Sequence, residues 1–158
     1  MKKYDAIIIG AGPMGIFTAY ELMLKAPEMK VLLIDKGNDI YHRNCPILAK
    51  KIKQCPKDMY GNSGCKPACS ITNGFGGAGA YSDGKFNITN EFGGTLCEFI
   101  GKKKALELME YVDKINCEHG GESTKLYTTA NTSIKKLCMQ NGLKLLDASV
   151  RHLGTDIN

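Results

Sequence analysis

The residues best equipped for chemistry lie in the first forty positions. The stretch Tyr4-Asp5-Ala6-Ile7-Ile8-Ile9-Gly10-Ala11-Gly12-Pro13-Met14-Gly15 sets three glycines in the spacing G-x-G-x-x-G. Val31-Leu32-Leu33-Ile34-Asp35 then ends in an acid 20 positions after Gly15. An apolar run, a glycine turn, a helix-like stretch and a second apolar run closed by an acid form the full dinucleotide-binding pattern. Gly10 permits the tight turn. Gly12 lets backbone approach a pyrophosphate with no side chain in the way, and Gly15 lets a helix pack close to a strand. Pro13 suits a first helical turn, where its missing N–H costs nothing. The amides that follow, from Met14 and Gly15, sit at the positive end of a helix dipole, where phosphates bind. Asp35 can accept hydrogen bonds from the ribose hydroxyls of an adenosine.

Thiols are the second chemical resource. The chain has seven cysteines. Cys45, Cys55, Cys65 and Cys69 fall within 25 positions. Four thiolates could hold zinc or an iron–sulfur cluster, two could form a redox pair, or all four could be unrelated. The spacing matches no strong ligand signature, so no metal is expected. Cys97, Cys117 and Cys138 are isolated and fit the role of small buried hydrophobes. His42, His119 and His152 are also isolated and read as surface or hydrogen-bonded residues.

These groups need elements to position them. The pattern predicts a strand over 4–9, a helix over 13–25 and a strand over 30–35. The run Ile7 to Ile9 is continuous rather than alternating, so that strand should be buried on both faces. Pro27 cannot continue the helix. Residues 1–37 thus form a βαβ unit. Residues 38–72 hold the four clustered cysteines and three prolines without clean periodicity, and the lysines of Lys50 to Lys57 should be exposed. Residues 73–95 read as a glycine-rich loop, because five glycines in twelve positions disfavour both helix and strong strand. Its amides could form an anion-binding nest, with Ser82 and Lys85 adding a hydroxyl and a cation. Residues 96–158 carry helices and a strand. Ala105, Leu108, Met109, Val112 and Ile115 recur at helical spacing before Gly120-Gly121, and that stripe should be core. Ile134, Leu137 and Cys138 form a shorter stripe ended by Gly142, and Leu143 to Val150 reads as a strand.

Composition narrows the function classes. With 158 residues, 43% hydrophobic and 23% charged, the chain can build a core. The net charge of +5 is mild and scattered, which argues against nucleic acid as a partner. Lys102-Lys103-Lys104 reads as a solvated helix start. No stretch has the ~18 apolar residues of a membrane span. Asp5, Gly10, Gly12 and Pro13 break the early apolar stretch, and no cleavage site follows, so it is not a secretory signal. Free thiols then suit a cytoplasmic location.

The start resembles the FAD-binding half of the glutathione-reductase-like flavoproteins. The middle, Gly74-Phe75-Gly76-Gly77-Ala78-Gly79-Ala80-Tyr81-Ser82-Asp83-Gly84-Lys85 with Glu91-Phe92-Gly93-Gly94 and His152-Leu153-Gly154-Thr155, resembles the uncharacterised FAD-dependent dehydrogenases of bacteria and archaea. The resemblance covers essentially the whole chain but only the first third of such a protein. It implies an α/β fold with a Rossmann-like FAD/NAD(P)-binding parallel sheet, incomplete in this chain. It also implies an FAD-dependent oxidoreductase whose ADP part is bound here, with NAD(P)H as a candidate electron donor. Gly10, Gly12, Pro13, Met14 and Gly15 would hold the pyrophosphate. Asp35, with Lys36 beside it, would hold the adenosine ribose. Gly76, Gly77, Ser82 and Lys85 would lie towards the phosphate and flavin end. The family's usual acid is Glu, and Asp35 is one methylene shorter. A nicotinamide-binding module and a truncated, non-catalytic fragment are the alternatives. On its own the chain is expected to be inactive. A thiol pair among the clustered cysteines could exchange electrons with a reduced flavin.

Overall fold

The computed structural model describes residues 3–62, 64–130 and 132–154. The chain is a mixed α/β protein that divides into two compact units at Tyr81 and Ser82. The first unit contains β1 (Ala6–Ile9), α1 (Pro13–Lys25) and β2 (Val31–Ile34). The two strands pair in parallel, Ala6 beside Val31 and Ile9 beside Ile34. Asp5 fixes the start of this ladder, since its carboxylate accepts from the Lys30 amide at 2.8 Å. Helix α1 stops at Ala26, whose amide bonds back to Leu22, and Pro27 follows. This strand–helix–strand order is the one the sequence predicts.

The burial of β1 is a correction. Ala6 and Ile8 are partly covered, whereas Ile7 is 59% and Ile9 83% exposed. The continuous apolar run suggested a strand covered on both faces. The described sheet has two strands, and side chains alternate across it. One face therefore meets α1 and the other stays open.

The second unit holds β3 (Lys85–Ile88), α2 (Leu96–Ile100), α3 (Lys102–Asn116), β4 (Leu126–Thr128), α4 (Ser133–Gln140) and β5 (Ser149–His152). Its sheet is antiparallel in the order β3-β5-β4. Phe86 and Leu126 both pair with Arg151. The sequence led us to expect a parallel core, and this sheet departs from it. Antiparallel strands need no crossover helix, and the last strand, β5, lies between β3 and β4, which both precede it in the chain.

Further expectations shift at the level of elements. The glycine-rich stretch of 73–95 carries a strand within it, because no glycine falls between Gly84 and Gly93 and Lys85-Phe86-Asn87-Ile88 can pleat. The strand expected over 143–150 begins only at Ser149. The Leu143 amide instead closes the end of α4 by bonding to the Cys138 carbonyl at 2.8 Å. Ala105 and Ile115 are buried as expected, but Leu108 is 43%, Ile134 62% and Leu137 59% exposed. Helical spacing marks a face without guaranteeing a partner for it. Cys97, Cys117 and Cys138 are half-buried rather than buried. Lys102-Lys103-Lys104 and the lysines between 50 and 57 are exposed. No described helix is long and apolar enough to cross a membrane.

Candidate functional site

The candidate site grows from the end of β1. Gly10 turns the chain at φ 102°, and its amide donates to the Ile34 carbonyl at 2.7 Å. Ala11 is fully buried beneath the turn. Gly12 caps α1 in an extended conformation, φ −73° and ψ −179°, with no side-chain cap. The first helical acceptor bond runs from the Ile16 amide to the Gly12 carbonyl at 3.0 Å. Met14 and Gly15 precede it, so their amides have no carbonyl one turn back. Pro13 is exposed, and Met14 is 83% exposed.

The two glycines of the turn differ in what a side chain would meet. A Cβ on Gly15 would overlap the Gly10 carbonyl oxygen and sit 3.4 Å from Ile8 Cγ2. Close packing of helix on strand therefore requires glycine there. A Cβ on Gly12 would find nothing nearer than Gly77 Cα at 4.0 Å. The fold leaves space beside Gly12 that it does not itself use. Open space and two first-turn amides suit a bound anion such as a pyrophosphate.

Asp35 does more than the sequence suggests. One carboxylate oxygen accepts from the Ala11 amide at 2.9 Å. The other accepts from the Gly37 and Gly74 amides, each at 2.8 Å. These bonds, with Lys36 close by, hold its carboxyl below the usual carboxylate range, the Ala11 bond contributing most. A carboxylate has about four acceptor positions. Three are occupied by backbone, which leaves one, on the oxygen that meets Ala11. Asp35 thus ties the glycine turn, the end of β2 and the glycine-rich stretch into one assembly. Lys36 itself is exposed.

Gly76 and Gly77 lie against the same turn. The Gly76 amide donates to the Ala11 carbonyl at 2.9 Å. A Cβ on Gly77, at φ 58°, would lie 3.0 Å from Gly12 Cα and 3.3 Å from Pro13 Cδ. Gly37 and Gly74 also pack backbone to backbone, since a Cβ on Gly37 would lie 2.7 Å from the Asn73 carbonyl carbon. Residues 65 positions apart in sequence, Ala11 and Gly76 or Gly12 and Gly77, therefore share one surface. Ser82 and Lys85 belong to the second unit. There the Ser82 hydroxyl accepts from the Gly84 amide at 3.0 Å, and Lys85 pairs with Asp83 at 2.8 Å.

Sequence reasoning missed Arg43, which is only 4% exposed. Its guanidinium donates to the carbonyls of Ser70 at 2.9 Å, Ile71 at 2.8 Å and Phe75 at 2.7 Å. It also lies 4.8 Å from the centre of the Tyr81 ring, whose hydroxyl donates to the Arg43 carbonyl at 2.6 Å. These partners are 27 to 38 positions away, so no local pattern points to them. The chain has only two arginines among many lysines. That scarcity was the available signal, because Arg suits fixed multidentate contacts better than Lys.

The four clustered cysteines come together. Cys45, Cys55, Cys65 and Cys69 line one apolar cavity of about 370 Å³. Among the described residues no group of three or more His, Cys, Asp or Glu is arranged to hold a metal ion. His42 pairs with Asp39 at 2.6 Å, and His119 bonds to the Ile115 carbonyl at 2.8 Å.

Comparison with known proteins adds two short matches. The chain is 49% identical over 45 residues to an uncharacterised protein of Methanosarcina barkeri, covering 28% of this chain and 11% of that protein. It is 40% identical over 40 residues to the mitochondrial L-2-hydroxyglutarate dehydrogenase of Caenorhabditis elegans, covering 25% of this chain and 9% of the enzyme. The matches thus span about a tenth of each relative. No family model matches the chain, and no solved structure matches it. Fold and comparison together define a mixed α/β protein with a short stretch similar to a dehydrogenase.

Proposed function

We propose that the chain is the dinucleotide-binding part of a cytoplasmic FAD-dependent oxidoreductase, with a Rossmann-like first unit that receives the ADP moiety. One observation carries this reading: the space beside Gly12, with only Gly77 near it, at the N-terminus of α1 and the end of a parallel strand. In this reading Gly12, Pro13, Met14 and Gly15 cradle the pyrophosphate, and Gly10 shapes the turn. The remaining acceptor position of Asp35 takes one ribose hydroxyl. Gly76 and Gly77 wall the phosphate side. Ser82 and Lys85 serve the flavin end. A bound flavin would supply hydride and electron transfer, with NAD(P)H as the candidate donor; the chain supplies binding and orientation. The similarity to a dehydrogenase supports the same class.

Gly12→Val tests it. The Gly12 backbone angles accept a branched residue, and its Cβ meets no clash. The variant should therefore fold while filling the space meant for phosphate. Loss of charge-assisted bonds worth about 2–3 kcal/mol should weaken FAD by roughly 30- to 150-fold in a fluorescence titration. Unchanged affinity in a folded variant would refute the assignment. NAD and ADP titrated alongside separate a flavin site from a nicotinamide site.

A further inference from the structure

The wall that faces Gly12 is soft by composition. Gly74, Gly76 and Gly77 stand at φ 107°, 86° and 58°, and glycine has more backbone freedom to lose than any other residue. Such a stretch keeps one shape only if its surroundings hold it. On the amide side, Gly74 donates to Asp35 at 2.8 Å, Phe75 to the Asn38 carbonyl at 3.1 Å and Gly76 to the Ala11 carbonyl at 2.9 Å. On the carbonyl side, Arg43 Nη1 donates to Phe75 at 2.7 Å. The rest of that fork is anchored, with Nε on the Ser70 carbonyl at 2.9 Å and Nη2 on that of Ile71 at 2.8 Å. The Tyr81 hydroxyl holds the Arg43 carbonyl at 2.6 Å. The side chain also packs under the wall: a Cβ on Gly74 would lie 2.9 Å from Arg43 Cδ, and one on Gly76 3.7 Å from Nη1. Next in the chain, Gly77 meets the turn itself, since its Cβ would lie 3.0 Å from Gly12 Cα.

We propose that Arg43 is a positioning residue of the dinucleotide site: by fixing the Phe75 carbonyl it sets the Gly76–Gly77 backbone against the glycine turn before any ligand arrives. The proposal rests on the dinucleotide reading of that turn. Arg43 touches no ligand in it and acts through the peptide it holds. Its work is preorganisation, because a wall already in place need not be ordered when the ligand binds. Only a planar fork can span three carbonyls at fixed angles, which a lysine ammonium cannot do. The part of the ligand that meets this wall is the pyrophosphate, and ADP and FAD share it. Loss of the clamp therefore weakens both by the same factor. If the freed stretch adopts the right shape about a tenth of the time, that factor is about ten.

The test titrates ADP and FAD into the full chain and into Arg43→Leu, at a temperature where circular dichroism shows both folded. Both ligands should bind the variant about tenfold more weakly. Asp113→Ala, which breaks an ion pair with Arg151 in the second unit, is the control for stability alone and should bind as wild type does. If Arg43→Leu does not fold, Arg43→Lys replaces it, since it keeps the charge and loses the fork; it too should weaken both ligands equally. Amide hydrogen exchange gives a readout without any variant. In the ligand-free wild type the Gly76 amide should already be protected, and ADP should add little to it. A Gly76 amide that becomes protected only when ADP binds would overturn the proposal. So would unchanged affinity in a folded Arg43 variant, or an equal loss in Asp113→Ala. A wild type that binds neither ADP nor FAD would sink the dinucleotide reading and this proposal with it, whereas a wild type that binds both, beside a variant that binds them as well, would sink this proposal alone.

Discussion

Each unit buries one of the chain's two arginines, and the two are satisfied in different ways. In the second unit Arg151, on β5, forms a bidentate pair with Asp113 of α3, at 2.7 and 3.0 Å, and also donates to the Thr124 carbonyl. Both side chains are nearly buried, 10% and 12% exposed. In the first unit Arg43 has no ion pair among the described residues. Three carbonyls and the Tyr81 ring take its place. Arg151 is a closed clamp that fastens strand to helix, with its charge cancelled. Arg43 organises a loop while its charge stays uncancelled and acts on Cys69. A buried charge without a counter-ion suggests a local demand for positive potential rather than a demand for stability.

The largest effect should come from breaking the clamp. Asp113→Ala leaves Arg151 buried and unpaired, and should lower unfolding free energy by about 3–5 kcal/mol in urea. Replacing both partners, Asp113→Leu with Arg151→Met, should recover most of that loss, because no orphaned charge remains. A double variant as unstable as the single one would show that the clamp's value lies elsewhere.

Arg43→Leu comes next. It orphans three carbonyls but no charge, so a loss of about 2–3 kcal/mol is expected, smaller than that of Asp113→Ala. The same variant should raise the pH at which Cys69 reacts with a small disulfide. A stability loss with no change in thiol reactivity would make Arg43 a clamp like Arg151 and end the contrast.

The two units also differ in how legible they were. Gly10 and Gly15 are needed by local geometry, a turn and a helix–strand contact, and Gly12 caps the helix between them. Pro13 and Pro27 bracket α1. Such short-range constraints leave a pattern in sequence, and the βαβ order followed. Asp35 was expected to meet a ligand, and nothing in the sequence marked it as a tie. Its partners Ala11 and Gly74 lie 24 and 39 positions away. Ile7 and Ile9 misled because an apolar run reports side-chain type and not whether a neighbour covers it. In the second unit β4 and β5 are held by cross-strand pairing, Leu126 with Arg151 and Thr128 with Ser149. Nothing in Leu143 to Val150 alone marks Ser149 as the first paired residue.

Asp35→Asn sharpens the comparison within the first unit. An amide offers one acceptor oxygen to three backbone donors, so about 1–3 kcal/mol should be lost. The pH dependence has a definite sign. A carboxyl held below its ordinary value contributes fully at neutral pH, and the contribution disappears as pH falls below about 4. The gap in stability between wild type and variant should therefore narrow on acidification. A gap that is constant from pH 7 to about pH 3 would mean that the ionised carboxylate is not what the three amides require.

The smallest effect is expected at Lys85. Its ion pair with Asp83 is more than half exposed on both sides, 59% and 53%. Exposed pairs contribute little, so Lys85→Ala should change stability by less than about 0.5 kcal/mol. Binding offers the finer readout. If Lys85 serves the flavin end, the variant should bind ADP as wild type does and bind FAD a few-fold more weakly. The Asp83 carboxylate competes for the same ammonium, so releasing Lys85 by Asp83→Asn should act in the opposite direction and tighten FAD slightly. An equal loss for ADP and FAD would move Lys85 to the phosphates. No response from either ligand would leave cofactor binding to the first unit alone, with the second unit held together by Arg151 and serving another part of the protein's work.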